Sequence, residues 1–420
     1  SMQGQLPGVN ISMVDGKPSR SATINIRGNI QSLSGNVGAL CLIDGVEGDI
    51  TAMNPEDVES ISVLKDASSA AVYGARGAFG VVLVTTKKAQ EGRISVNYSG
   101  SFSMYQPTVR PQYETDGMVW YDNFMESYVE SKHALPGGIN NFFPWNQAWE
   151  DEYKKRYNDP DKSYDDWRVN NSGRYEYFSN TDWYDMFYRK ATYGHQHNVS
   201  VSGGSEKASF SVSARHYTQE GIYRIGDEKF NQTNFRAKGS VKIRKWLTLE
   251  NNTDFVYRTY HQPMGYDTSL TIPRLLEHQG FPMTKVTNPD GTWTAAAVVT
   301  GYAGMAEGTT YRDNFKYDMK NSTFLTGSFL DGQLVAKADF SILYNHSTRN
   351  DVINMDGYNI GPDNSAVYPT SSRMDRRDYE NKYYSGNVYL TFAPKLWDNH
   401  SFSVIGGANI VNNRFRPPPM

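Results

Sequence analysis

Two-residue alternation of apolar and polar positions governs the chain from about residue 93 onward. In Arg93 to Tyr105, Ile94, Val96, Tyr98, Gly100, Phe102 and Met104 fall on one side of an extended chain. Arg93, Ser95, Asn97, Ser99, Ser101 and Ser103 fall on the other. Lys207 to Tyr217 repeats the pattern, with Ala208, Phe210, Val212 and Ala214 against Ser209, Ser211, Ser213 and Arg215. Gln333 to Asn345 and Tyr383 to Phe392 do the same. Successive side chains of a strand point to opposite faces, so each stretch predicts a strand with one apolar and one wet face. About nine such strands are expected, starting near 93, 195, 206, 230, 246, 321, 333, 381 and 399. Each approaches the ~10 residues that a tilted strand needs to cross a membrane.

The connections alternate in length. Tight turns at Gly203-Gly204, Arg244-Lys245, Asp331-Gly332 and Pro394 to Asn399 separate long loops at about 106–194, 218–229, 259–320 and 346–380. Every short turn then lies at one end of the strands and every long loop at the other. A transmembrane antiparallel β-barrel has that asymmetry, with short periplasmic turns and long extracellular loops. A soluble β-sandwich also gives half-apolar strands, but offers no reason to segregate the loops.

Residues 1 to about 92 have a different texture and predict a mixed α/β domain, with the barrel portion running from 93 to 420. Short apolar strands (Ile24 to Ile26, Ala39 to Ile43, Ile61 to Leu64, Val81 to Thr85) alternate with Gly turns and two helical stretches. Asn54 caps the first helix, with Pro55 at its first position and Glu56 and Asp57 in its first turn. Asp66 starts the second, which stops at Gly74.

Composition narrows the classes. The chain holds 29 Tyr, 19 Phe and 8 Trp beside 36 Gly, as suits short alternating strands. Its 42 basic and 45 acidic residues give a net charge of -3, so no global basic field points to nucleic acid. Cys41 is the single cysteine, which excludes an internal disulfide framework and a Cys-based zinc site. No run of about 18 apolar residues predicts a membrane helix. The N-terminus has neither the charged nor the apolar region of an export signal, so such a signal is expected upstream or already removed.

Three ordered stretches carry a resemblance. They are Leu40-Cys41-Leu42-Ile43-Asp44-Gly45-Val46, then Asn54-Pro55-Glu56-Asp57-Val58 through Asp66-Ala67, then Ala71-Val72-Tyr73-Gly74-Ala75-Arg76-Gly77 through Lys87-Lys88. Together they closely resemble the plug signature of SusC/RagA-type TonB-linked outer-membrane proteins. Leu6-Pro7-Gly8-Val9 and Ile24-Asn25-Ile26-Arg27-Gly28 match the start of the same plug, and Thr181 to Asp185 and His197 to Ser205 look like the start of that family's barrel. Cys41 stands where an aromatic is common and Phe79 where Asn is usual. The resemblance implies a 22-stranded barrel with the plug inside it, in the outer membrane of a Gram-negative bacterium of the Bacteroidota. It also implies active import energised by TonB, with a SusD-like lipoprotein lid. Oligosaccharide is the expected substrate, with oligopeptide as an alternative, and the lipid bilayer is the surroundings. A non-transporting surface receptor or adhesin on a soluble β-fold is the competing reading. Nine strands would leave unpaired edges in lipid, so the chain is expected to be part of a longer polypeptide.

Candidate sites follow. Arg27 and Arg76 lie in plug motifs, while Glu250 and Asp254 lie on the expected lumen face of the strand from Trp246 to Arg258. Arg–carboxylate pairs between plug and barrel would be strong charge-assisted bonds that hold the plug shut. Trp120, Tyr121, Trp145, Trp149 and Trp183 in the first long loop are candidates for substrate or lid contact, against the alternative that they pack the loop's own core. The Gly74 to Gly80 stretch lacks the Lys-Ser/Thr of a phosphate loop. His195 and His197 lack a third ligand, and the acidic turn of Asp44, Glu47 and Asp49 needs no calcium. No catalytic arrangement, metal site or cofactor is expected.

Overall fold

A computed structural model describes residues 9–12, 23–26, 39–65, 77, 80–88, 92–109, 111–140, 143–144, 146–265, 271–394 and 402–416. A two-stranded ribbon of β1 (Val9–Ser12) and β2 (Thr23–Ile26) comes first. It is followed by a small four-stranded sheet of β3 (Leu40–Ile43), β4 (Val46–Glu47), β5 (Val58–Leu64) and β6 (Val81–Thr86), in the order β4-β3-β6-β5. β3 runs parallel to β6 and β5 antiparallel to it. The Asp44-Gly45 turn joining β3 to β4 has φ of 49° and 83°, the doubly positive geometry of a tight hairpin turn. Ile43, Met53, Val82 and Val84 fill one side of this sheet and Leu40, Leu42 and Val81 the other. Burial on both faces explains why β6 reads as a continuous apolar run.

Only one turn of 3-10 helix, Pro55–Asp57, forms where the cap signals at Asn54 suggest a helix. The signals are used, since Asn54 accepts from the Glu56 amide, but Val58 already begins β5, whose β-branched residues take the chain into the sheet. The second expected helix, at 66–73, lies outside the described residues.

The large sheet has nine antiparallel strands among the described residues: β7 (Gly92–Tyr105), β12 (Thr192–Gly204), β13 (Ala208–Glu220), β14 (Lys229–Arg244), β15 (Leu247–Pro263), β16 (Tyr311–Phe329), β17 (Leu334–Ile353), β18 (Arg373–Phe392) and β19 (Val404–Arg416). Each pairs with its sequence neighbour, so the sheet is an up-and-down meander from β7 to β19. On the outward face Ile94, Val96, Phe340 and Val388 stand 69%, 67%, 52% and 59% exposed, an apolar band that no described part of this chain covers. The opposite face is polar and carries the small sheet. Strands β16 to β18 run further toward the long connections than the alternation suggests, with β16 starting at Tyr311 and β18 at Arg373. Those extensions (Tyr-Arg-Asp-Asn-Phe-Lys and Arg-Met-Asp-Arg-Arg-Asp) carry charged side chains on both faces, so they pair with little period in hydrophobicity.

The long connections fold. Among the described residues they hold two small ribbons, β8 (Gly138–Asn140) with β9 (Phe143–Pro144) and β10 (Trp167–Val169) with β11 (Tyr175–Tyr177), and helices that include Gly117–Lys132, Gln147–Tyr157 and Ile272–Gln279. Their cores are aromatic. No helix among the described residues is long and apolar enough to cross a membrane.

Candidate functional site

The small sheet meets the wall through charged and amide side chains. β14 places Gln232, Asn234, Arg236 and Lys238 on one face at two-residue spacing, pointing inward. Gln232 and Asn234 both donate to the Ala52 carbonyl, at 3.0 and 2.7 Å. Lys238 sits 3.1 Å from the Asp44 carboxylate and donates to the Thr86 carbonyl at 3.3 Å. From β12, Asn198 accepts a 2.8 Å hydrogen bond from buried Asn54. From β15, Arg258 reaches Asp49 at 3.3 Å while also bonding Asp318 of the next strand. From β16, Lys320, 8% exposed, donates to the Ile43 carbonyl at 2.8 Å.

Charge is therefore arranged as carboxylates on the small domain and cations on the wall. Burial alone would push the Asp44 carboxyl up, but the Lys238 ammonium and hydrogen bonds from Thr86 outweigh it and hold it below the usual carboxylate range. Asp49 behaves likewise: burial is overcome by hydrogen bonds from Thr51 and by Arg258. Asp57 goes the other way, because burial outweighs the Arg236 guanidinium 4.0 Å off. Beside these contacts a cavity of about 460 Å³ separates the Gly48 to Asp57 segment from β16 to β19, walled by charged groups such as Lys316, Asp318 and Glu380.

The expected lock residues are distributed differently from this. Arg27 and Arg76 lie outside the described residues. Asp254 does form an Arg–carboxylate pair, but with Arg236 of the adjacent wall strand. Glu250 is exposed on β15 and makes no ion pair with a described residue. The cations that hold the small domain were visible in sequence as charges spaced by two on the wet face of β14 and β16. Spacing alone did not say that their partners are the Asp44 turn and the Asn54 turn, because those contacts span 144 to 277 residues.

Among the loop aromatics, Tyr121, Trp149 and Trp183 are 1%, 1% and 4% exposed and serve as core. Tyr121 and Trp183 pack inside the loops, and Trp149 packs there too while also lining a loop cavity. Trp149 donates its indole N–H to the Tyr177 carbonyl, and Trp183 to that of Phe281, so both polar tips are also satisfied internally. Trp120 is half-buried and stacks on Phe124 with ring centroids 5.5 Å apart. Trp145 lies outside the described residues. His195 and His197 are on the outward face, where Tyr98 bonds His197 at 2.8 Å, so neither faces an aqueous lumen. No group of three metal-ligating side chains occurs among the described residues.

Three of the loops are sewn together. The Tyr175 amide donates to the Ile360 carbonyl at 2.8 Å and the Asn359 amide to that of Trp293 at 3.1 Å. Asn288, 3% exposed, accepts from the Tyr177 hydroxyl and donates to the Asn359 carbonyl at 3.1 Å.

Residues 1–81 match the TonB-dependent receptor plug domain. The TonB-dependent receptor P26 of Formosa agariphila is 25% identical over 97% of this chain and 37% of its own length. The TonB-dependent receptor SusC of Bacteroides thetaiotaomicron is 30% identical over 54% of this chain and 19% of its own. The chain thus spans well under half the length of these relatives, which are receptors and not enzymes. A solved structure of the RagAB peptide transporter covers 99% of this chain and 45% of its own, with a TM-score of 0.69 at 20% identity, a likeness of fold. Residues 1–81 thus carry the plug domain of a TonB-dependent receptor, the nine-stranded sheet has the fold of such a receptor's barrel wall, and the chain is similar to the SusC/RagA-like TonB-dependent receptors.

Proposed function

We propose that this protein supplies the plug and part of the wall of a TonB-dependent importer, which carries a nutrient across a bacterial outer membrane. The observation that carries the reading is the plug seated by ion pairs and buried amides on the polar inner face of a wall whose outer face is apolar. A single inner-face row, Arg236, Asp254 and Lys320, lies opposite the plug at successive strands. Pairs between plug carboxylates and wall cations hold the plug in place until TonB, energised across the inner membrane, displaces it. The plug and wall domains divide near residue 92, and the long loops face outward beneath a SusD-like lipoprotein that helps capture substrate. An oligosaccharide is the proposed cargo, by kinship with SusC.

The test is uptake in the native host. Deleting the gene should abolish accumulation of the cognate labelled oligosaccharide, and complementation should restore it only in cells with functional TonB. Undiminished uptake without TonB would reject the reading. Oligopeptide is the second cargo, favoured by the fold likeness to the RagAB peptide transporter. Growth of the deletion strain on defined oligosaccharides and defined peptides separates the two.

A further inference from the structure

Among the described residues, the three-loop cluster lines a half-open cavity of about 400 Å³. That volume lies in the range of sites built for small ligands, about 300–1,000 Å³. Its walls come from segments far apart in sequence: Phe143, Asn146, Trp149 and the β10–β11 hairpin of the first loop, residues between Gln279 and Val299 of the third, and Asn359 and Ile360 of the fourth. The backbone and amide bonds that join these loops fix the walls in advance, so a ligand need not order them. Gly361 marks how closely they meet, since a Cβ there would lie 1.9 Å from the Gly173 carbonyl oxygen.

One part of the lining is apolar, with Phe143, Phe281, Ala296, Val299 and Ile360. The other is polar, and several of its groups are already used. Thr284 and Thr294 donate to main-chain carbonyls, and Glu176 is bonded by Arg168 and Asn170 at 2.7 and 2.9 Å. The side-chain amide of half-buried Asn359, and the Nδ2 of Asn146 and the hydroxyl of Ser172 on exposed residues, make no hydrogen bond to a described residue. They leave donors and acceptors facing a half-apolar space. The two charges in the lining, Arg174 and Glu176, balance, so nothing selects an ion.

We propose that this loop cavity is a recognition site for an uncharged polyhydroxylated ring, one sugar unit of an oligosaccharide, separate from the plug surface. Hydroxyls that both donate and accept match the Asn146 Nδ2 and the Asn359 amide, and the C–H faces of the ring match Phe143 and Ile360. The proposal rests on the import reading for its purpose but is tested by binding alone.

The experiment uses the full-length protein purified in detergent. Uncharged trisaccharides of glucose, mannose, galactose and xylose, and tripeptides of alanine and glycine, are titrated by calorimetry and by the fluorescence of Trp149, which lines the cavity. At least one trisaccharide should bind. Asn359→Ala should weaken it about tenfold, the loss of roughly one buried hydrogen bond. Ala295→Trp, which fills the space, should abolish it with the melting temperature unchanged. Failure of every trisaccharide to bind, binding by tripeptides alone, or equal binding by both variants overturns the site. Should Ala295→Trp not fold, Asn359→Ala with Ser172→Ala decides by the same criterion. If the variants bind like wild type while TonB-dependent uptake persists, the site falls and the import reading stands.

Discussion

At the scale of single residues, the plug is held by unlike partners whose removal should have unlike effects. Lys238 is nearly buried between Asp44 and the Thr86 carbonyl. Asp44→Asn leaves an ammonium in a site built for a carboxylate, and breaking one side of such a pair costs up to about 3–5 kcal/mol. Asp44→Asn with Lys238→Met should be milder than Asp44→Asn alone, a coupling that a double-mutant cycle on urea-induced plug unfolding would read. Asp57 should behave in the opposite sense. Its carboxyl is raised by burial despite Arg236, so its charged form opposes seating, and Asp57→Asn should be neutral or stabilising at pH 7. The pH dependence follows the same signs. Asp44 and Asp49 have depressed folded values, so their contribution is complete above the unfolded carboxylate pKa of ~3.9 and is lost as pH falls through the folded values. Acidification from pH 7 to 5 should leave their hold intact, and unfolding of the plug on going below about pH 4 should be blunted in Asp44→Asn. Equal pH profiles for wild type and Asp44→Asn would contradict the assignment.

At the scale of elements, alternation was legible wherever one strand face is apolar and the other polar, and silent where both faces carry charge. That is why the strand at Ile94 to Met104 could be read residue by residue, while the polar ends of β16 and β18 could not. The outward band makes a matched prediction. Val388→Arg puts a guanidinium on the outer face and should cost about 2–4 kcal/mol in bilayer assembly, seen as loss of heat-modifiable gel mobility. Its inward neighbour Asn387→Arg should assemble normally. The Pro55–Asp57 turn makes another. Asn54 is both its cap and the donor to Asn198, so Asn54→Ala removes two bonds from a residue 3% exposed. A loss of about 1–3 kcal/mol in plug stability is expected, with barrel mobility unchanged. Cap signals were readable at Asn54, yet the length of the helix was not, because β5 captures the chain three residues later.

At the scale of the whole molecule, the motif order of residues 40 to 88 identified the plug, and the loop lengths indicated a membrane barrel. The plug arginines expected to meet wall carboxylates, Arg27 and Arg76, lie outside the described residues, and the described contacts run from wall cations to plug carboxylates and carbonyls. Local patterns carry no information on which charges meet across more than a hundred residues. If the described contacts are what TonB must break, fixing one covalently should stop transport without touching capture. Asn54 and Asn198 are joined by a 2.8 Å hydrogen bond, so cysteines at both positions lie within reach of a short bifunctional thiol reagent. Cys41 is a poor competitor, since burial pushes its thiol up to about 11 and leaves little thiolate at neutral pH. Asn54→Cys with Asn198→Cys should take up labelled substrate before treatment, lose uptake once bridged by a reducible reagent, and recover it on adding dithiothreitol. Surface binding of substrate should stay constant throughout. The single-cysteine variants and Cys41→Ser provide the controls. Continued uptake by the bridged protein would mean that substrate passes without movement of the Pro55–Asp57 turn away from β12, and the gate would then lie elsewhere on the plug, away from this contact.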